Sequence, residues 1–274
     1  MKRLAELLAR YPLPNPEGGK DEKGTVVVVG GPRTCPGAAL LTGTSALRSG
    51  SGRVQLCVEP AVTKEVGVAL PEAAVFGWDL DTEMPDDVAD TLGTADVVVI
   101  GVGHTHVPGD AVRAVAARTD APLILDAGAL HAAGDVATSH ALVIAPNAHE
   151  AAQLLGDDAT DDDERDLARA LQRRFGHPVA VRAAIAVVAD ADDVWCYDEL
   201  PPGLGTPGSG DVFVGVLATL IGNGCASVAA LAWAVELHAC AARRLATDTP
   251  VGYLASDVAR ELPAALSRAT ANLR

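Results

Sequence analysis

The stretch Thr25-Val26-Val27-Val28-Val29-Gly30 decides the fold class of this 274-residue chain. A short apolar run without polar alternation is typical of a strand whose two faces are both buried. Gly30 ends the run, and the Ala- and Leu-rich residues that follow predict a helix over Gly37–Gly50. A strand, a loop and a helix in this order form the unit from which parallel sheets are built.

The same order recurs along the chain, and no low-complexity linker divides it. Further strands are predicted at Arg53–Val58, Asp96–Ile100, Leu123–Asp126, Leu142–Ala145, Val179–Val181, Ala184–Ala189 and Val194–Tyr197. Further helices are predicted at Arg3–Ala9, Asp110–Arg118, Glu150–Leu155, Asp163–Phe175, Asp211–Ile221, Ser227–Ala246 and near Ser256–Ala265. We therefore predict one α/β domain over residues 1–274, with a mostly parallel central sheet and helices on both faces.

Composition excludes several classes of protein. The net charge of −15 argues against a nucleic-acid partner, because a phosphate backbone requires a basic surface. The five cysteines are scattered without a close pair, which favours reduced thiols over a disulfide framework or a zinc site. No stretch reaches membrane-spanning length, so the sequence predicts a cytoplasmic protein without a membrane partner.

The turn Gly208-Ser209-Gly210-Asp211 carries the strongest chemical signal. Glycines let backbone amides approach a ligand, and amides at a helix start favour anions such as phosphate. Asp211 would lie in the first helical turn, where a carboxylate can take the proton of an attacking hydroxyl. The alternative is a simple Ser/Asp N-cap behind a glycine-rich loop.

Other polar or glycine residues follow the predicted strands, and ligands of parallel sheets bind beyond the carboxyl ends of strands. Asp126 could bind a ligand or cap the turn after it. Asn147 and Glu150 have capping-box spacing, although Glu150 could also hold a hydrated Mg²⁺ near phosphates. His104 and His106 could bind a metal or lie in an exposed loop. Trp78 is expected in a surface strand or loop.

Several ordered segments resemble the ADP- or ATP-dependent NAD(P)H-hydrate dehydratases, a family of ribokinase-like α/β fold. They are KGTVVVVGGPRTCPGAALLTGTSALRSGSGRV (Lys23–Val54), ALPEA (Ala69–Ala73), IGVG (Ile100–Gly103), LDAGAL (Leu125–Leu130), APNAHEAAQLLG (Ala145–Gly156), GLGTPGSGDVFVGVLATLIGNG (Gly203–Gly224) and LASDV (Leu254–Val258). The resemblance implies nucleotide-dependent repair of hydrated NADH or NADPH through a phosphorylated intermediate, with ADP or ATP and Mg²⁺.

The resemblance also implies roles for single residues. Asp211 would be the base that activates the hydrate hydroxyl, and Gly208, Ser209 and Gly210 would form the anion hole. The substrate would be bound by Ala38, Gly103, Asn147 and Asp211. The nucleotide would be bound by Arg182, Ala183, Ala184, Ile185, Ala186 and Gly210. Glu150 would reach a metal through water.

The resemblance further implies a homo-oligomer, such as a tetramer. The apolar face of the predicted helix Ser227–Ala246 offers a surface for this assembly; the alternative is that this face packs on the sheet.

The chain departs from the family pattern in the substrate and nucleotide walls. Asn147 replaces a histidine, Arg182-Ala183 replaces Lys-Gly, Gly128 replaces an aspartate and Pro207 replaces a glycine. These departures keep two alternatives open: a small-molecule kinase of the same fold, acting on a sugar or vitamin precursor, and a nucleotide-binding relative without turnover.

Overall fold

The computed structural model describes residues 2–13, 19–20, 22–156, 163–198, 200–247 and 249–271. Its strands are β1 (Lys2–Arg3), β2 (Thr25–Val29), β3 (Arg53–Val58), β4 (Ala74–Gly77), β5 (Val97–Ile100), β6 (Leu123–Leu125), β7 (Leu142–Ile144), β8 (Val179–Arg182), β9 (Ala186–Ala189) and β10 (Val194–Tyr197). Its α-helices are α1 (Leu4–Arg10), α2 (Pro36–Arg48), α3 (Thr63–Ala69), α4 (Asp86–Gly93), α5 (Gly109–Ala116), α6 (Ala133–Val136), α7 (Ala148–Leu155), α8 (Glu164–Phe175), α9 (Ser209–Gly222), α10 (Ser227–Ala246) and α11 (Ala255–Ala271). No helix within these residues is both long and apolar enough to cross a membrane.

In the described part of the chain, all strands join one sheet in the order β1-β10-β9-β8-β7-β6-β5-β2-β3-β4. Neighbours are parallel except for β9, which runs antiparallel to both β8 and β10. This arrangement confirms the predicted mostly parallel α/β architecture. The order of strands reverses between β2 and β5, and such a switch point opens a crevice at the carboxyl ends of the strands.

The valines of β2 explain why the sheet is covered on both faces. Val26 and Val28 belong to a core cluster with α2, α9, α10 and α11, whereas Val27 and Val29 belong to a second cluster with α4, α5 and α8. Successive side chains of a strand point to opposite faces, so an unbroken valine run supplies both cores. Burial of this apolar surface is the main favourable contribution to folding.

Sequence reasoning missed five elements, namely β1, β4, α3, α4 and α6. Each of these elements is short. The first residue of β4 is exposed, so neither the length nor the hydrophobic pattern of this segment predicts a strand. The expectation for Trp78 was wrong, because this side chain is only 2% exposed. It follows β4 and belongs to the core cluster that also holds Val88 and Leu92 of α4, and its indole N–H donates to the carbonyl of Thr82 at 3.3 Å.

The Ala-rich helix α10 does not offer a free apolar face. Its apolar residues are buried in the core cluster that also holds α9 and α11. Packing within one chain therefore accounts for its composition, and this helix lends no support to an oligomer.

Helices α2 and α9 approach closely because Gly215 has no side chain. A Cβ atom there would lie 2.3 Å from the carbonyl oxygen of Thr42 and 2.8 Å from Cβ of Ser45. The obstructing oxygen belongs to backbone, which cannot move away without shifting a helix. Gly67 in α3 is a matched control, since a Cβ atom there meets nothing nearer than Val75 Cγ2 at 3.8 Å.

We predict that Gly215→Ala destabilises the protein by about 1–3 kcal/mol through overpacking. Gly67→Ala should instead stabilise it by about 0.5–1 kcal/mol, the usual gain from removing a mid-helix glycine. Urea denaturation of both variants provides the measurement. Equal effects of the two substitutions would contradict the close crossing of α2 and α9.

Candidate active site

The site begins at the N-terminus of α9. Gly208 caps this helix in the left-handed conformation, with φ of 85°. A Cβ atom at this position would also lie 2.6 Å from Leu41 Cδ1, so both the backbone and the packing require glycine. The Ser209 amide donates to the carbonyl of Thr206 at 3.2 Å.

The next two amides of α9 are available to a ligand. Among the described residues, no backbone or side-chain acceptor pairs with the amides of Gly210 and Asp211. They lie at the positive end of the helix dipole, where an anion is stabilised. Unpaired amides at a helix start suit an anion such as a phosphoryl group, and the binding role of this turn stays a prediction.

Asp211 places a carboxylate in the first turn of the same helix. Burial raises the pKa of Asp211 to about 6, while the charge of Arg182 opposes the rise. A carboxylate with a pKa in this range is ionised at neutral pH and is still basic enough to accept a proton.

Arg182, the last residue of β8, is anchored beside this turn. Its Nε donates to the carbonyl of Ala145 at 2.9 Å, and its guanidinium lies 4.3 Å from the centre of the Phe213 ring. Burial lowers the pKa of Arg182, and the nearby charges of Asp126, Glu150 and Asp211 raise it. A Cβ atom on Gly210 would lie 3.7 Å from Arg182 Nη2, so the cation reaches the start of α9.

Asp126 follows β6 and is 8% exposed. Burial raises its pKa to about 7, and the negative charge of Asp211 adds to the rise. Its carboxylate makes no capping hydrogen bond to the turn that follows, although the Ala127 amide favours its charged form. Ala127 has φ of 44°, the one non-glycine residue with positive φ in the described chain, which marks local backbone strain beside the site.

Asn147 and Glu150 form the predicted capping box of α7. The Asn147 amide donates to Glu150 Oε2 at 2.8 Å, and the Glu150 amide donates to Asn147 Oδ1 at 2.9 Å. Asn147 also pairs through its backbone with Arg182. The charge of Glu150 nevertheless reaches Asp126 and Arg182. The capping role and a position beside the site therefore coexist.

A cavity of about 590 Å³ opens over the start of α9. It is lined by six residues of the segment 200–206, all but Gly203, and by most of the residues expected to bind nucleotide. Those expected residues are Arg182, Ala183, Ala184, Ala186 and Gly210. Ile185 does not line this cavity; it packs against the core cluster on the opposite face of the sheet.

Ala38 and Gly103 meet at the switch point between β2 and β5. A Cβ atom on Gly103 would lie 2.7 Å from Cβ of Ala38, and Gly103 has φ of 75°. Leu41, one turn further along α2, touches Gly208, so the starts of α2 and α9 are neighbours. The structure thus brings the expected substrate residues to the same edge as the Gly208–Asp211 turn.

Sequence reasoning missed His238, which the structure places against this turn. The Nε2 atom of His238 lies 3.2 Å from Ser209 Oγ, and its ring packs edge-on against Phe213. Burial lowers the pKa of His238 to about 3, and the charge of Arg182 lowers it further. This histidine is therefore neutral at physiological pH. Its position within an Ala-rich helix was the only available signal.

The two histidines with metal-ligand spacing do not form a metal site with other side chains. Across the described residues, no group of three or more His, Cys, Asp or Glu side chains could hold a metal ion. The His106 ring instead stacks on the His131 ring, with 4.5 Å between their centroids.

Comparison with known proteins places this architecture in a family. The family model described as NAD(P)H-hydrate dehydratase matches residues 26–264. An ADP-dependent (S)-NAD(P)H-hydrate dehydratase of Xanthomonas campestris is 34% identical, and the match covers 96% of this chain and 95% of that protein.

Solved structures agree with this placement. The ADP/ATP-dependent NAD(P)H-hydrate dehydratase of Bacillus subtilis, co-crystallised with ATP and Mg²⁺, superposes with a TM-score of 0.79 at 25% identity over 96% of both chains. A ribokinase-like superfamily protein of Enterococcus faecalis superposes with a TM-score of 0.83 at 22% identity, over 96% of this chain and 94% of that one. The fold is therefore ribokinase-like.

We predict that Asp126→Asn stabilises the protein more at pH 8 than at pH 4. The pKa of Asp126 is raised to about 7 in the folded chain, so folding favours the protonated carboxyl. As the pH rises from the pKa of the unfolded chain toward 7, the unfolded chain ionises more readily than the folded one, and the folded protein loses stability. Asparagine removes this loss, which we expect to be on the order of 1–3 kcal/mol.

Thermal unfolding between pH 4 and pH 8 is the measurement, with the exposed Asp120→Asn as control. A stability difference for Asp126→Asn that does not grow with pH would show that this carboxyl is not held in its neutral form.

Proposed function

The chain belongs to the NAD(P)H-hydrate dehydratase family, and we propose that it converts (S)-NAD(P)H hydrate to NAD(P)H at the expense of ADP. The observation that carries this proposal is the joint placement of four features: Arg182 and Gly210 line the 590 Å³ cavity, the Gly210 and Asp211 amides are unpaired among the described residues, and the Asp211 carboxylate lies in the same first turn of α9. ATP is an alternative donor, as in the name of the Bacillus subtilis relative.

In the first step, the hydroxyl of the hydrate attacks the terminal phosphoryl group of the nucleotide. Asp211 accepts the hydroxyl proton as the new O–P bond forms, and the anhydride O–P bond breaks to release AMP from ADP. A positioned base of suitable pKa contributes on the order of 10²–10⁴ in rate. The Asp211 carboxylate satisfies the pKa requirement.

The α9 amides and Arg182 stabilise the transferring group. Negative charge on its equatorial oxygens is met by preorganised N–H donors and by a guanidinium whose direction is already set by Ala145 and Phe213. Because these groups are in place before the reaction, they require little reorganisation during it.

In the second step, the phosphorylated intermediate loses inorganic phosphate. The C–O bond breaks with its electron pair on the departing phosphate, and the neighbouring ring carbon gives up a proton that the phosphate takes, which restores the dihydropyridine double bond and releases hydrogen phosphate. The raised pKa of Asp126, about 7, and the neutral His238 limit the negative charge of the site while phosphate departs.

The carboxylates of the site fit a Mg²⁺ ion that is bound mainly by the phosphates of the nucleotide. The described residues hold no three-ligand cluster, and Mg²⁺ in nucleotide sites is commonly held by phosphates, waters and one or two carboxylates. Glu150 would reach the ion through water, because one of its oxygens already accepts the Asn147 amide. When bound, the ion neutralises phosphate charge.

We also propose a homo-oligomer, such as a tetramer, in the cytoplasm. The assembly rests on the family resemblance alone. The location is supported by five cysteines that are all free, as expected of a reducing compartment.

Recovery of NADH absorbance from (S)-NADH hydrate with Mg²⁺ and either ADP or ATP tests the function. We expect recovery with ADP and release of one phosphate per NADH formed. Absence of recovery with both nucleotides in folded protein would overturn the proposal. A stable phosphorylated product from another metabolite would instead favour a small-molecule kinase.

We predict that Asp211→Asn lowers kcat on the order of 10²–10⁴-fold while nucleotide still binds. In the parent protein, kcat/KM should fall as pH drops below about 6, because Asp211 then becomes protonated. Turnover of the variant within a few-fold of the parent, or a rate that stays flat below pH 6, would show that another group is the base.

A further inference from the structure

A second cavity, of about 380 Å³, lies at the switch point between β2 and β5. Its lining includes Gly30, Pro32, Arg33, Glu59, Asp79 and His104. This volume falls within the roughly 300–1,000 Å³ of typical small-molecule sites. The catalytic turn does not line it, so the cavity is separate from the one over α9.

The cavity adjoins the expected substrate residues. Pro32 lines the cavity, and a Cβ atom added to Gly103 would lie 3.2 Å from Pro32 Cδ. Gly103 in turn touches Ala38. A ligand whose reacting ring lies at Ala38 and Gly103 can therefore extend its other half into this cavity.

The surrounding β2-α2-β3 unit has the features of a nucleotide half-site. A double-glycine turn, Gly30-Gly31, joins β2 to α2, and Glu59 directly follows β3. In βαβ nucleotide-binding units, an acidic residue at the end of the second strand hydrogen-bonds ribose hydroxyls, whereas a nearby arginine accommodates a 2′-phosphate. This cavity holds both an acidic residue and an arginine. The net charge of its lining therefore decides whether a dinucleotide with a free 2′-hydroxyl or one with a 2′-phosphate binds better.

The balance favours a ribose without phosphate. Glu59 is partly buried, and no side-chain hydrogen bond or ion pair in the described chain engages it. Arg33 is exposed, and the wall also carries Asp79 and Asp81. Burial lowers the pKa of His104 against the opposing charge of Asp81, and this favours the neutral imidazole. Arg33 is the one lysine or arginine among the residues that line the cavity, and three carboxylates line it as well.

We propose that this cavity binds the adenosine half of the hydrated dinucleotide and that Glu59 selects a ribose 2′-hydroxyl over a 2′-phosphate. The preferred substrate is then NADH hydrate. This inference rests on the proposed function and specifies its substrate. A 2′-phosphate would add about 1.5–2 negative charges beside the Glu59 carboxylate, whereas a 2′-hydroxyl can donate to it.

The test compares kcat/KM for (S)-NADH hydrate and (S)-NADPH hydrate with ADP and Mg²⁺. We expect the parent protein to favour NADH hydrate by about tenfold or more, as one like-charge contact in a partly solvated site implies. Glu59→Gln should raise kcat/KM for NADPH hydrate by about tenfold and lower that for NADH hydrate, because the ribose 2′-hydroxyl loses its charged acceptor.

Glu72→Gln is the matched control. Glu72 is exposed and precedes the amino end of β4, whereas the cavity is lined by residues that follow the carboxyl end of β4, so its replacement should leave the substrate ratio unchanged. Equal use of both substrates, a preference for NADPH hydrate, or a ratio that Glu59→Gln does not alter would overturn the inference.

Direct binding separates this inference from the proposed function. If neither hydrate is turned over, the function fails, and calorimetric titration with NADH and NADPH still tests the cavity. Tighter binding of NADH, with the difference lost in Glu59→Gln, supports the assignment. Equal affinity for both, or no binding of either, contradicts it.

Discussion

The site depends on the electrostatic interaction between the Arg182 guanidinium and three nearby carboxylates, one of which lies at the start of α9. Asp126, Glu150 and Asp211 come from separate segments of the chain, and like charges brought together out of water repel. The guanidinium offsets this repulsion and keeps the pKa of Asp211 from rising further. Its anchors, the carbonyl of Ala145 and the ring of Phe213, join β7, β8 and α9 around the cavity.

The site is built at a cost to stability. Asp126 is buried with a raised pKa, His238 is buried neutral beside a cation, and Ala127 adopts a strained backbone conformation. The rest of the fold compensates with a sheet buried on both faces and a close α2–α9 crossing at Gly215. Destabilised groups are common at active sites, where perturbed pKa values serve the chemistry.

The parts of this structure that could be predicted from sequence are those encoded locally. Valine runs predict buried strands, the Asn147 and Glu150 spacing predicts a capping box, and Gly208–Asp211 predicts the helix start that the structure has. Short edge elements such as β4 escaped prediction because propensity decides them only weakly. Trp78 was misplaced because its burial depends on a core cluster assembled from distant segments, α4 among them.

Contacts between distant segments could not be predicted from sequence. Arg182 stacks on Phe213 and His238 meets Ser209 only because β8, α9 and α10 converge in the fold. No spacing rule links residues that lie about 30 positions apart on different elements. Ile185 illustrates the same limit: alternation within the β8–β9 connection places it on the opposite face from its neighbours in the cavity.

The most direct test of the account is a crystal structure of the protein with AMP, Mg²⁺ and a fluoroaluminate that mimics the transferring phosphoryl group. The account predicts that the mimic lies about 2.7–3.1 Å from the amides of Gly210 and Asp211, with the Asp211 carboxylate facing the acceptor position. A mimic bound away from α9, or a carboxylate turned toward Arg182 and out of reach of the acceptor, would contradict it.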